Sequence, residues 1–221
     1  MKNILMKTGI SSGTRWILCS LLIVLLAISL SACKSENAGT AETTDDTVTA
    51  AGSSEETAAG ISSVTVSFRY RHMSTHASNQ IAVWVEDESG KVVRTIMATD
   101  FTAARKGYLN REDALSHWVS AASPADMTDE EIDAISSATP NSGDLEYVWD
   151  MTDDKGNRVP EGRCTIKIEG TLYWSSNALY TAEIDTENTA EGELEYEEIR
   201  SEPDNTENAD MITDLRITAY R

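Results

Sequence analysis

From Ile61 onward the chain is cut into short runs in which apolar and polar residues alternate, each run closed by turn-forming residues. Val64-Thr65-Val66-Ser67-Phe68-Arg69-Tyr70 repeats every two residues, the spacing of a strand with one buried and one solvated face. Residues 71–79 look like a loop. Ile81-Ala82-Val83-Trp84-Val85 is apolar throughout and reads as a buried strand. Glu86 to Lys91 then forms a turn around Ser89-Gly90, and Val92 to Met97 returns antiparallel as a hairpin. Further strands are expected over residues 145–150, 164–168, 171–184, 193–199 and 212–220. Roughly eight strands with turns between them and no internal repeat predict an immunoglobulin-like antiparallel β-sandwich over residues 61–221.

The middle of this domain changes character. From Asn110, the spacing of Leu115, Trp118 and Val119 fits a helix with one apolar face, with Arg111, Glu112 and Asp113 in its first turn and Ser123-Pro124 at its end. A second helix begins at the capping box of Thr128 and Glu131, places Ile132 and Ile135 on one face, and runs out at Ser136. A short two-helix insertion in a mostly β domain is the expectation.

The N-terminus carries Lys2, Lys7 and Arg15, an apolar run from Trp16 to Leu30, and then Leu30-Ser31-Ala32-Cys33. This is the pattern of a secretory signal over residues 1–32, too short and wrongly flanked for a permanent span. Its last four residues resemble a lipobox, which implies that Cys33 is diacylated and tethers the protein to membrane lipid. An ordinary signal with a chance cysteine is the alternative. Residues 33–60 are rich in Ser, Thr, Ala, Gly, Asp and Glu with no aromatic residue. They cannot bury enough surface to offset ordering, so they read as a disordered linker. The expected location is extracytoplasmic, anchored to the cell membrane.

Residues 1–32 hold three basic and no acidic residues, so the chain from Cys33 onward has 15 basic and 37 acidic, a net −22. That sign excludes nucleic acid and anionic lipid surfaces as partners held by charge. Cys19 leaves with the signal and Cys33 is the lipid acceptor, which leaves Cys164 without an intrachain partner. Cys164 is in phase with Ile166 and Ile168 and reads as a small buried hydrophobe.

Between the second helix and residue 145 lies Asp133-Ala134-Ile135-Ser136-Ser137-Ala138-Thr139-Pro140, a threonine hydroxyl among small residues on an exposed connection. Asp133, Ser136, Ala138 and Thr139 resemble the covalent flavin-attachment motif of bacterial extracytoplasmic electron-transfer proteins, with Ser137 where that motif more usually has Gly. The resemblance implies that a flavin transferase joins FMN from FAD to Thr139 through a phosphoester, and that a redox partner then takes electrons from it. A helix end followed by small polar residues and a proline accounts for the same residues without any cofactor.

Trp149-Asp150 followed by Asp153-Asp154-Lys155-Gly156-Asn157-Arg158-Val159-Pro160-Glu161-Gly162 resembles the immunoglobulin-like repeats of flagellar hook-capping and other secreted bacterial proteins. That resemblance implies a β-hairpin at the edge of a sandwich and no catalysis. Taken with Asn79 to Asp87, Gly90-Lys91, Arg94-Thr95, Leu115, Trp118, and Asp133-Ala134 with Ala138-Thr139-Pro140, these residues also resemble the secreted bacterial domain-of-unknown-function family two-two-seven-one, over almost all of residues 62–221. Members of that family occur fused to or beside flavin transferases, which implies the same context for Thr139.

Other chemistries find little support. His72 and His76 flank a strand end with no Glu between them and His117 is remote, so no metal site is expected. Asp150, Thr152, Asp153, Asp154 and Asn157 have the composition of a calcium loop without its spacing, and turn capping by Asp accounts for them better. No Gly-x-Ser-x-Gly or phosphate-cradling glycine loop is present. Two readings follow. One is a flavin-carrying electron carrier, for which Trp118, Trp149 and Tyr147 offer aromatic faces. The other is a non-catalytic binding or scaffolding lipoprotein with Thr139 unmodified. Neither is a self-sufficient enzyme.

Overall fold

The computed structural model describes residues 60–74, 76–173, 176–202 and 210–221, all within the compact unit Ser54–Arg221. The expected signal over residues 1–32, Cys33 and the expected linker over 33–60, apart from Gly60, lie outside the described residues.

Among the described residues ten strands and two α-helices form, in the order β1 (Ser63–Tyr70), β2 (Gln80–Asp87), β3 (Val92–Thr99), α1 (Ser116–Ala122), α2 (Asp129–Ile135), β4 (Ser136–Ser137), β5 (Gly143–Trp149), β6 (Arg163–Thr171), β7 (Asn177–Asp185), β8 (Gly192–Glu193), β9 (Glu197–Arg200) and β10 (Ile212–Tyr220). A small sheet holds β5, β1, β10 and β8, and a large sheet holds β4, β3, β2, β6, β7 and β9, each in that spatial order. Every pairing is antiparallel except that of β3 with β4. The expected β-sandwich with a helical insertion is therefore present.

The alternation in β1 does what its period requires. Val64, Val66, Phe68 and Tyr70 face inward beside Leu215, Ile217 and Ala219 of β10. They meet Ile81, Val83 and Val85 of β2, Cys164, Ile166 and Ile168 of β6, and Tyr180, Ala182 and Ile184 of β7 in one apolar cluster. Burying one such aliphatic side chain is worth about 2 kcal/mol, so these rows hold the two sheets together.

The large sheet has a second covered face. Ala82 and Trp84 of β2, Ala98 of β3 and Leu179 of β7 pack against Ala103, Leu115, Trp118 and Ile135 of the insertion. The result is three layers: small sheet, large sheet and helices. β2 is buried on both faces, which is why its sequence is apolar without alternation.

The β2–β3 hairpin forms as its turn chemistry predicts. Asp87 Oδ1 accepts the N–H groups of Ser89 and Lys91, and Gly90 takes φ 80°, which a side chain would disfavour. α2 forms behind its capping box, with Thr128 Oγ1 accepting the Glu131 N–H and Glu131 Oε2 accepting the Thr128 N–H.

Elsewhere the structure differs from the sequence reading. The first helix starts at Ser116 and not near Asn110, because Leu115 sits at φ 53° and breaks the helical path. Arg111 is thereby freed from a helix and binds the carbonyls of Ser78 and Leu172 and the carboxylate of Asp113. Residues 171–184 are not one strand: β6 ends at Thr171 and β7 begins at Asn177, and the two pair with each other. Residues 193–199 also divide, since β8 joins the small sheet and β9 the large one. The tryptophan–glycine-turn run is a crossover and not a hairpin, because β5 pairs with β1 and β6 pairs with β2 and β7. Only Thr152 and Arg158 bridge across its turn.

Candidate functional site

α2 ends at Ile135, and the next two residues pair with the end of β3, Ser136 opposite Ala98 and Ser137 opposite Thr99. The Asp100 N–H closes this edge by donating to the Ser137 carbonyl at 2.7 Å. The segment after α2 is thus pinned to the sheet for two residues before it is released at Ala138. Ser137 and Ala138 are exposed, and Thr139 is half-buried. The Thr139 hydroxyl donates to the main-chain carbonyl of Asn79 at 3.4 Å, a long hydrogen bond.

The four motif residues do not form a hydrogen-bonded cluster. Asp133 is exposed on α2, and the Ser136 hydroxyl donates to the Ile132 carbonyl at 2.7 Å, closing the last helical turn. Ala138 is exposed and leaves the approach to Thr139 open on its N-terminal side. On the other side, Asn79 is tied to Met73. Asn79, which is 2% exposed, accepts the Met73 N–H at 2.8 Å and donates to the Met73 carbonyl at 2.9 Å. The Ser142 hydroxyl accepts the His72 N–H at 2.8 Å, tying the chain after β1 to the loop that carries Thr139.

Of the three aromatic residues expected to offer a stacking face, the two tryptophans are closed to solvent. Trp118 is fully buried beneath the insertion and Trp149 lies in the core between the sheets. Tyr147 packs half-buried against Phe68, with ring centres 6.0 Å apart. Each is consumed by packing because its position on the strand or helix points at the apolar layer.

A family model matches residues 62–199, under the description predicted periplasmic protein (DUF2271). The chain belongs to the DUF2271 family. The matched span runs from β1 into β9, so it contains the large sheet up to Ile199, the small sheet without β10, the insertion and Thr139. The family description places the domain outside the cytoplasm. No curated protein and no solved structure matches the chain. Among the described residues of this DUF2271 domain, no helix is long and apolar enough to cross a membrane.

A polar group that sequence reasoning missed joins the insertion to the large sheet. Glu169 of β6 is fully buried and accepts the main-chain N–H of His117 at 3.2 Å and of Trp118 at 3.0 Å. Its Oε1 also lies 3.0 Å from His117 Nδ1 and accepts from Asn177 Nδ2. Nearby, Glu86 accepts the Trp84 indole N–H at 2.8 Å and pairs with Lys167 at 2.6 Å. Gln80 accepts the hydroxyls of Thr99 and Thr102. Glu169 is one residue beyond the strand read from 164–168, and Glu86 was read as the start of a turn. No local pattern marks a charged residue in a strand as buried; the signal is the apolar face that arrives from elsewhere in the chain.

The remaining candidates resolve as turns and core. Asp153 Oδ1 accepts the N–H groups of Lys155 and Asn157, and Asp150 Oδ1 accepts that of Thr152, so these acids cap turns. Among the described residues no group of three His, Cys, Asp or Glu side chains is placed to hold a metal. Cys164 is buried, and burial pushes its thiol up to about 11. A groove of about 440 Å³ opens between α2 and β3 over Ile96, Met127 and Ile135, and none of the four motif residues lines it.

Proposed function

We propose that this DUF2271 protein is an extracytoplasmic carrier, tethered to membrane lipid through Cys33, that accepts FMN on Thr139 and takes part in electron transfer outside the cytoplasm. The observation that supports it is the state of the Thr139 hydroxyl, held by one long bond to a carbonyl beside exposed Ser137 and Ala138. A hydroxyl so weakly engaged can be turned outward without breaking the fold. In the attachment step the Thr139 oxygen bonds to the FMN phosphorus, the pyrophosphate bond of FAD breaks, AMP leaves and the hydroxyl proton passes to solvent. A flavin transferase supplies the catalysis. The chain's own part is presentation: β4 fixes one end of the acceptor segment to the sheet edge, and Ser136 closes the helix before it.

The residues around Thr139 fit an acceptor and do not build an enclosing pocket, since Trp118 and Trp149 are committed to the core. Bound FMN would supply one- and two-electron chemistry at an open surface, with the protein contributing position and tether and no self-sufficient catalysis.

The full chain, exported in cells that carry a flavin transferase, should gain the mass of one FMN, and its Thr139→Ala variant should not. An unmodified mass, in cells where a known client is modified, would sink this reading. The second reading, a non-catalytic binding or scaffolding lipoprotein, is favoured by the half-burial of Thr139, which restricts a transferase.

A further inference from the structure

α1 lacks a capping side chain of its own. Its N-cap is Leu115, which has no oxygen to offer, and the helix has only seven residues to lose. Glu169 of β6 takes over that duty by accepting the N–H groups of His117 and Trp118, with one carboxylate oxygen for each. The same carboxylate meets the His117 ring, whose side chain is 44% exposed while that of Glu169 is 0% exposed. A buried acid therefore has a cap on one side and a solvent-reachable imidazole on the other.

We propose that His117 and Glu169 form a pH-responsive latch that fastens the helical insertion to the large sheet. Two charged groups act on the His117 ring, and both come from β6: Glu169, and Lys167, which is itself paired with Glu86. From β7 the clamp receives Asn177, and from α1 Ser116, both neutral. The hydrogen bond to Glu169 is the largest influence and raises the affinity of His117 for its proton above the ordinary 6.5; burial opposes it, the charge of Glu169 adds to it and Lys167 subtracts. A group whose folded value is raised stabilises the fold fully below its unfolded value and stops doing so as pH rises through the folded one. The latch is accordingly tight in acid and slackens as His117 loses its charge. The neutral ring still reaches Glu169 through Nδ1–H, so the contact loosens and is not abolished. Slackening acts on the helix that covers Trp84, since Trp118 and Trp84 share one apolar cluster. The latch stands independently of any group carried by Thr139.

The test is NMR on the isotope-labelled, detergent-solubilised chain. The His117 ring is titrated, and exchange of the Trp118 amide is followed across the same range after correction for intrinsic exchange. The expected result is a His117 midpoint above 6.5 and a several-fold loss of Trp118 protection as pH rises through it. His117→Gln should fold and lose the pH response, and Glu169→Gln should return His117 to its ordinary range or below it. A native midpoint at or below 6.5 would overturn the latch. So would Trp118 protection that is equal on both sides of the midpoint, or a His117→Gln chain that keeps the response.

Discussion

The indole Nε1 of Trp118 donates to the Thr95 hydroxyl at 3.2 Å, between a helix of the insertion and strand β3 of the large sheet, with both residues buried. The ring also covers Trp84, so one side chain both fills the layer and orients it. Trp118→Ala should cost about 3–5 kcal/mol through the cavity it leaves. Trp118→Phe retains most of the volume but leaves the Thr95 hydroxyl unpaired, and should cost about 1–3 kcal/mol. Urea unfolding of both variants checks the order, and equal losses would show that the polar contact, not the volume, holds the layer.

Glu169→Ala removes the acceptor from two N–H groups at the start of α1, that of buried Trp118 and the part-buried one of His117. The expected loss is about 3 kcal/mol, at roughly 1–3 kcal/mol for each unsatisfied group. Circular dichroism with urea measures it, and a loss below half that would mean that water takes the place of the carboxylate.

Gly107 is buried, and a Cβ there would collide with both the ring and the carbonyl of Phe101. Its carbonyl also receives the N–H groups of Asn110 and Arg111. Because the backbone is locked on both sides, Gly107→Ala should destabilise by about 1–3 kcal/mol or more through overpacking. A thermal melt of that variant near the parent's would show that the insertion's entry loop can shift.

Thr139→Ala should leave stability within about 0.5 kcal/mol of the parent, because the hydroxyl contributes one long bond to a carbonyl that Gln80 also satisfies. Unfolding curves that overlay would allow any loss of FMN in this variant to be assigned to attachment and not to folding.

Cys164 should resist iodoacetamide at pH 8 in the native chain, where burial holds its thiol near 11, and react readily once urea exposes it. Peptide mass spectrometry reads the labelled fraction. Rapid labelling of the folded chain would show that strand β6 opens locally at its first residues.

The strands were legible from their own residues, by alternation where one face is buried and by an unbroken apolar run in β2, where both are. In β1 the inward and outward residues alternate, and the alternation is the fold's own record of which side meets the core. The helix α2 was legible for a similar reason, since its capping box joins residues three apart. The start of α1 was not, because its cap is Glu169, more than fifty residues away in sequence. Nor was the crossover from β5 to β6: two strands flanking a tight turn look like a hairpin until other strands compete for their edges. The loop that carries Thr139 was readable as a position after α2, but its pinning to β3 was not, since a two-residue pairing carries no periodicity.

The sequence by itself determined the period-two strands, the Asp- and Gly-built turns, the cap of α2 and membership in the DUF2271 family. These depend on residues within a few positions of one another, or on a pattern spread along the whole chain. The tertiary structure alone decided which strands share a sheet, that Glu169 and Glu86 are buried, where α1 begins and how far Thr139 reaches solvent. Each of those depends on a surface supplied by a distant segment, and a burial free energy exists only once both surfaces have met.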